Sequence, residues 1–170
     1  KWAKLITAFG ASDSKHTTQT KNMDYINGSL YLSGMMKGGF APYGEEEARI
    51  ASKSTPLNGF VIKCDASNGE WLGVVSADEQ GIGGYFGVAK GKENNLYAYG
   101  YSWATPNKGI CLTTIDESSW EKTEKIALIT ETGMGTAWNC LADGTNFYSF
   151  SRGIKPSISI IPNLPYLHPQ

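Results

Sequence analysis

The chain has 170 residues, 18% charged residues and a formal net charge of −1, without a run of basic residues. This composition is typical of a globular domain and excludes the electrostatic footprint of a nucleic-acid-binding protein. No apolar stretch approaches the roughly 18 residues of a membrane-spanning helix. The 20 glycines and the 12% aromatic residues favour an all-β fold.

A tryptophan followed by a tyrosine-bearing strand recurs three times, with similar spacing. The pairs are Trp2 and Tyr31, Trp71 and Tyr97, and Trp120 and Tyr148. Each tyrosine follows a short polar turn, and Asn-Gly and Asp-Gly pairs supply the positive φ that tight hairpins need. A period of about fifty residues built from strands and turns is typical of β-propeller blades, whose four antiparallel strands are called a to d.

In chain order, the sequence predicts one incomplete and two complete blades after an isolated strand. The elements are a d-type strand at residues 2–9, a blade at 23–76 with an insertion at 35–58, a blade at 85–130, a partial blade (strands a to c) at 138–161 and an irregular, proline-rich tail at 162–170. Because propellers typically have four to eight blades, about three blade equivalents predict part of a larger propeller. Further blades are expected from the same chain or from another.

The insertion, Met35–Asn58, is the longest predicted connection. Its centre, Glu45–Ser52, is a candidate for a short helix, because Glu45 and Arg49 have the i, i+4 spacing of helical ion pairs. The long connections of successive blades lie on one face of the predicted propeller and the short turns lie on the other. Long loops on one face of a rigid scaffold usually carry function, so the ligand site is predicted on the face of this insertion.

Aromatic side chains and one arginine are predicted at the floor or wall of that site. They suit sugar rings, aryl groups or anionic chelates. The candidate residues are Tyr85, Phe86, Tyr101, Trp103, Trp138 and Arg152. Packing between blades is the alternative interpretation of the same side chains.

No catalytic, metal or cofactor site is predicted. The only histidines, His16 and His168, fall in a polar loop and in the tail, and no nucleophile elbow or phosphate-binding loop occurs. The main interpretation of the three cysteines is that they are small buried side chains, with a disulfide or a metal site as alternatives. They are Cys64, Cys111 and Cys140.

The segments Leu30–Gly34, Leu96–Gly100, Gly59–Asp65 and Gly69–Trp71 resemble the repeats of bacterial propeller lipoproteins common in Bacteroidetes. The resemblance implies a location in the cell envelope, at the outer-membrane surface or in the periplasm. It also implies non-enzymatic capture of a nutrient, such as a glycan or a ferric siderophore, for a TonB-dependent transporter. A propeller-fold glycosidase or lyase and a protein-protein scaffold stay open as alternatives, since a fold does not define a function.

Overall fold

The computed structural model describes residues 1–9, 17–51, 57–77, 82–91, 93–102, 109–130, 136–142, 146–152 and 157–162, and describes side chains no further than residue 123. Every regular element in these ranges is a β-strand, so the all-β prediction is confirmed. The strands are β1 Ile6–Phe9, β2 Thr17–Ile26, β3 Ser29–Lys37, β4 Gly39–Pro42, β5 Ile50–Ala51, β6 Asn58–Asp65, β7 Trp71–Ser76, β8 Ile82–Lys90, β9 Asn95–Ser102, β10 Gly109–Asp116, β11 Glu121–Thr130, β12 Thr136–Ala142, β13 Asn146–Arg152 and β14 Ser157–Pro162.

The strands form four antiparallel sheets. Sheet I has the order β2-β3-β6-β7, sheet II is the meander β8-β9-β10-β11, and sheet III is β12-β13-β14. The small sheet has the order β1-β4-β5. Strands β2, β3 and β6 of sheet I contact β8, while β12 contacts β8, β9 and β10, so sheet II lies between sheets I and III.

The structure differs from the predicted elements in and around the insertion. Strand β1 begins at Ile6, and it pairs with β4 of the insertion, Ile6 opposite Pro42, instead of with a propeller blade. Strand β3 continues to Lys37 inside the predicted insertion. No helix forms over the described part of Glu45–Ser52, where bends lead into β5. Sequence spacing could not reveal the β1–β4 pairing, because it joins segments that are distant along the chain.

The repeated tyrosines occupy equivalent places. Tyr31, Tyr97 and Tyr148 are each the third residue of the second strand of sheets I, II and III. This confirms that the three segments repeat one strand order. The pairing register with the third strand also matches, because the tyrosines lie opposite Lys63, Thr114 and Ile160, each two residues before the end of its strand.

Two of the tryptophans are not equivalent, which corrects the predicted Trp period. Asp65 and Asp116 begin matching turns, in which each aspartate carbonyl accepts a hydrogen bond from the amide four residues later, at 2.7 Å. Gly69 and Trp120 are the residues that donate, and both have positive φ, 74° and 58°. Trp120 therefore takes the turn position of Gly69, whereas Trp71 is the first residue of β7.

Among the described side chains, the core has two parts, which lie on opposite faces of sheet I. One part fills the space between sheets I and II, with Tyr31, Val61 and Val75 meeting a group from sheet II. That group is Tyr85, Val88, Leu96, Ala98, Cys111 and Ile115. The other part covers the outer face of sheet I, where Phe40 of the small sheet packs edge-on against Phe60, with ring centroids 5.1 Å apart.

The two described cysteine side chains are buried thiols, in agreement with the main interpretation of the sequence. Cys64 belongs to the core under the small sheet and Cys111 to the core between sheets I and II. Burial raises the pKa of Cys64 to about 11, so its thiol stays protonated and unreactive at neutral pH. Of Cys140, only its place on β12 is described.

The outer edges of sheets I and II are joined by Trp120. Its indole lies where a side chain at Gly73 would be, since a Cβ built on Gly73 comes within 1.8 Å of Trp120 Cε2. We expect Gly73→Ala to lower the free energy of unfolding by about 1–3 kcal/mol, the usual cost of overpacking. Urea denaturation measures this change.

The Gly73 prediction has a specific rescue. In the Trp120→Ala background the indole is absent, so Gly73→Ala should cost much less there than in the wild type. Leu72→Ala, at a neighbouring exposed position, serves as the control. An equal cost of Gly73→Ala in both backgrounds would show that the loss has another source than the indole.

Candidate ligand-binding cleft

The residues predicted to bind ligand are divided between the interior and the part of the chain where side chains are not described. Tyr85 is fully buried and Tyr101 is 7% exposed, so both rings pack between strands and present no surface to a ligand. Burial raises the pKa of the Tyr85 phenol far above its usual value. For these two tyrosines, the structure favours the packing interpretation.

The structure describes the surroundings of the other four candidates only in part. Phe86 is partly buried on β8, and its carbonyl accepts a hydrogen bond from the Tyr99 hydroxyl at 2.8 Å. Trp103 lies outside the described residues. Trp138 lies on β12, and Arg152 ends β13 opposite Thr136, with only their backbone described. A role for these four residues in binding stays a prediction.

An open cleft of about 280 Å³ lies elsewhere, between the N-terminal segment, the insertion and the turn between β6 and β7. Its lining residues are Lys4, Pro42, Glu45, Arg49, Asn68, Gly69, Glu70 and Trp71. The volume approaches the lower end of ordinary small-ligand sites, which is about 300 Å³. The cleft is therefore large enough for one or two rings of a ligand.

The β6–β7 turn positions one wall of the cleft through local hydrogen bonds. The Asp65 carboxylate accepts from the Ser67 hydroxyl and amide, at 2.6 and 2.7 Å, and these bonds hold the pKa of Asp65 below its usual value. The Asn68 side chain accepts from the Glu70 amide at 2.8 Å. The turn is thus fixed before a ligand arrives, which limits the entropy lost on binding.

The N-terminal segment is attached to this turn and to the insertion. The Trp2 indole donates a hydrogen bond to the Ala66 carbonyl at 2.9 Å and lies over Gly69, where a Cβ would come within 2.6 Å of the ring. The Tyr43 amide donates to the Leu5 carbonyl, also at 2.9 Å. Lys4, between these two attachments, is thereby held at the cleft.

Charge in the cleft is balanced. Arg49 makes a two-point contact with Glu45, Nη2 to Oε1 at 2.6 Å and Nε to Oε2 at 2.8 Å. Lys4 and Glu70 add one further charge of each sign. Beside these groups, Trp71 packs edge-on against Phe40, with centroids 5.9 Å apart, and borders the cleft. An aromatic ring beside several hydrogen-bonding groups suits a polar ring-shaped ligand.

Sequence patterns indicate this cleft only in part. The insertion predicted to carry the site does contribute Pro42, Glu45 and Arg49. The opposite wall is the short turn between β6 and β7, and short turns are predicted on the face away from the insertion. A third wall precedes β1. Only the pairing of β1 with β4 brings the N-terminal segment beside them.

Neither the protein-family models nor the curated proteins include a match to this sequence. In the part of the chain that the structure describes, no helix is long and apolar enough to cross a membrane. The same part contains no group of three or more His, Cys, Asp or Glu side chains arranged to hold a metal ion.

Proposed function

We propose that the chain is a segment of a β-propeller that binds a ligand without transforming it. The repeated strand order of the three larger sheets and their face-to-face packing support the propeller architecture. The cleft supports the binding function, and it is the single observation that carries it. An oligosaccharide or another polar ligand with rings fits its mixture of one partly buried indole and balanced hydrogen-bonding groups.

The wider setting of this function rests on the resemblance to Bacteroidetes propeller lipoproteins. In that setting the protein lies in the cell envelope and delivers a nutrient to a TonB-dependent transporter. A glycan suits the cleft better than an anionic ferric chelate does. The reason is that Arg49 is already paired with Glu45, so the cleft offers no surplus of positive charge.

A carbohydrate-active enzyme is the second candidate, since Glu45 and Glu70 border the same cleft. Glycoside hydrolysis uses two carboxyl groups, one of which must act as nucleophile or base. Both Glu45 oxygens are occupied by Arg49, which leaves that carboxylate poorly suited to either task. This contact favours binding over catalysis.

We expect Trp71→Ala to weaken binding of a matching oligosaccharide about tenfold or more, because a ring stacked on a ligand contributes about 1–3 kcal/mol. Screening a panel of neutral and acidic oligosaccharides together with a ferric siderophore, followed by titration calorimetry, measures the effect. Leu72→Ala is the control, because Leu72 is exposed but does not line the cleft.

Because Trp71 also packs on Phe40, the same experiment needs variants that spare the core. Glu70→Gln and Lys4→Met change exposed cleft residues and should weaken binding without lowering the melting temperature. Unchanged affinity in all three cleft variants would place the ligand elsewhere. Cleavage of the oligosaccharide by the wild type, abolished in Glu70→Gln, would establish the enzyme instead.

A further inference from the structure

One wall of the cleft carries an ion pair that stays accessible. The side chains of Arg49 and Glu45 are 47% and 31% exposed, and both line the cleft. Their two-point contact uses two of the five N–H groups of the guanidinium and one acceptor site on each carboxylate oxygen. Among the described residues, the other N–H groups and acceptor sites have no partner. The pair therefore presents hydrogen-bond donors beside acceptors and carries no net charge.

The backbone on both sides of this pair is held in place. The Glu45 amide donates to the Pro42 carbonyl at 3.3 Å, in the turn that follows β4. Arg49 directly precedes Ile50, which is 4% exposed, lies opposite Phe40 and belongs to the core under the small sheet. Because the backbone and the ion pair are already in position, a ligand that binds there has few groups to order.

Another wall of the same cleft contributes an aromatic ring. Trp71 is partly buried, packs against the core under the small sheet and borders the cleft. Its edge-on contact with Phe40 fixes the plane of the indole. The face of an aromatic ring is negative and attracts C–H groups. A ligand between these walls should therefore present C–H groups on one side and groups that both donate and accept hydrogen bonds on the other.

We propose that Glu45 and Arg49 together bind two hydroxyl groups on neighbouring carbons of a neutral pyranose, whose C–H face lies on Trp71. A hydroxyl group can donate to the carboxylate and accept from the guanidinium, so two neighbouring hydroxyls match the paired donors and acceptors. An anion would be repelled by Glu45 and a cation by Arg49. This inference rests on the proposed binding function and names the chemical class of the ligand within it.

Deoxy sugars test the contact directly. Binding of the methyl glycosides of glucose, galactose, mannose and xylose is measured by NMR titration of the isotope-labelled protein. The single-deoxy derivatives of the tightest binder follow. We expect the loss of either of two neighbouring hydroxyls to weaken binding about tenfold or more, the usual effect of losing a hydrogen bond to a charged group. Loss of a hydroxyl elsewhere on the ring should have a smaller effect.

Two double variants assign this effect to the ion pair. In Glu45→Ala/Arg49→Ala, the parent sugar and its deoxy derivatives should bind with nearly equal, weakened affinities, because the groups that the hydroxyls contact are absent. The exchange Glu45→Arg/Arg49→Glu should keep most of the binding, since a hydroxyl can donate where it had accepted. Glu46→Ala, at an exposed position outside the cleft, is the control and should change neither the affinity nor the melting temperature.

The outcomes separate this inference from the proposed function. Deoxy effects that persist in Glu45→Ala/Arg49→Ala would overturn the inference, and so would the absence of any effect from neighbouring hydroxyls. If Trp71→Ala still weakens binding in either case, the cleft remains the binding site. Clearly tighter binding of glucuronic acid or glucosamine would also overturn the inference, because it would show a surplus of charge in the cleft. Failure of all four glycosides to bind the wild type would overturn the inference and the proposed function together.

Discussion

Glu117→Ala is expected to lower the free energy of unfolding by about 3–5 kcal/mol, the cost of removing one partner from a buried charge cluster. The Glu117 side chain is 5% exposed, in the turn that follows β10. Its carboxylate accepts from the Tyr31 hydroxyl at 2.6 Å and from Lys63 at 3.0 Å, and it also contacts the Lys90 ammonium group. Tyr31 and Lys63 belong to sheet I, so this cluster joins the two sheets.

The size of the effect comes from what the substitution leaves behind. Without the carboxylate, Lys63 and Lys90 keep two like charges in a partly desolvated place. Burial, together with the charge of Lys63, already lowers the pKa of Lys90. Since folding depresses this lysine pKa, the unfavourable effect of charged Lys90 is fully present at neutral pH and diminishes only as the pH rises toward its ordinary pKa.

Urea denaturation at pH 7 measures this change, with Glu121→Ala as the matched control. Glu121 begins the next strand and is exposed, so its removal should change the stability by less than about 0.5 kcal/mol. The stability loss of Glu117→Gln should fall between those of Glu117→Ala and Glu121→Ala, because the amide oxygen still accepts a hydrogen bond but carries no charge. Equal stability of Glu117→Ala and Glu121→Ala would show that the cluster contributes nothing to joining the sheets.

Gly34→Ala and Gly100→Ala are expected to be the most damaging glycine substitutions in sheets I and II. A Cβ on Gly34 would lie 2.0 Å from the Gln19 carbonyl oxygen, and one on Gly100 would lie 2.3 Å from the Gly84 carbonyl oxygen. Both obstacles are backbone atoms, which cannot rotate away as a side chain can. We expect each substitution to cost at least the 1–3 kcal/mol usual for overpacking.

The close approach has the same origin in both sheets. The first strand is bulged beside the glycine, between Thr20 and Asn22 in β2 and between Tyr85 and Gly87 in β8. A bulge bends its strand, and a neighbour without a side chain accommodates the approach. Thermal and urea unfolding measure the loss, with the exposed Thr18→Ala on β2 as the control. A Gly34→Ala protein as stable as that control would mean that β2 relaxes freely at its bulge.

The sequence by itself determined the strand repeat, because its signals are local. Polar turns and alternating strands depend on neighbouring residues, so Tyr31, Tyr97 and Tyr148 could be assigned to equivalent strands. Strand β9 carries a tyrosine at every second residue, Tyr97, Tyr99 and Tyr101, but this alternation does not show which rings stay accessible. Burial of Tyr85 and Tyr101 depends on the sheets packed against them, so the sequence alone could not show that these rings lie in the core.

Tertiary structure alone decided the candidate site and the meaning of the tryptophans. The cleft exists because β1 pairs with β4, and no local pattern encodes a contact between segments so far apart. The spacing of Glu45 and Arg49 correctly indicated an ion pair but wrongly suggested a helix, since side chains four residues apart can also meet across a bend. Trp71 and Trp120 looked alike in sequence, yet hydrogen bonding assigned one to a strand and the other to a turn. These features depend on long-range pairing, which a single sequence does not reveal.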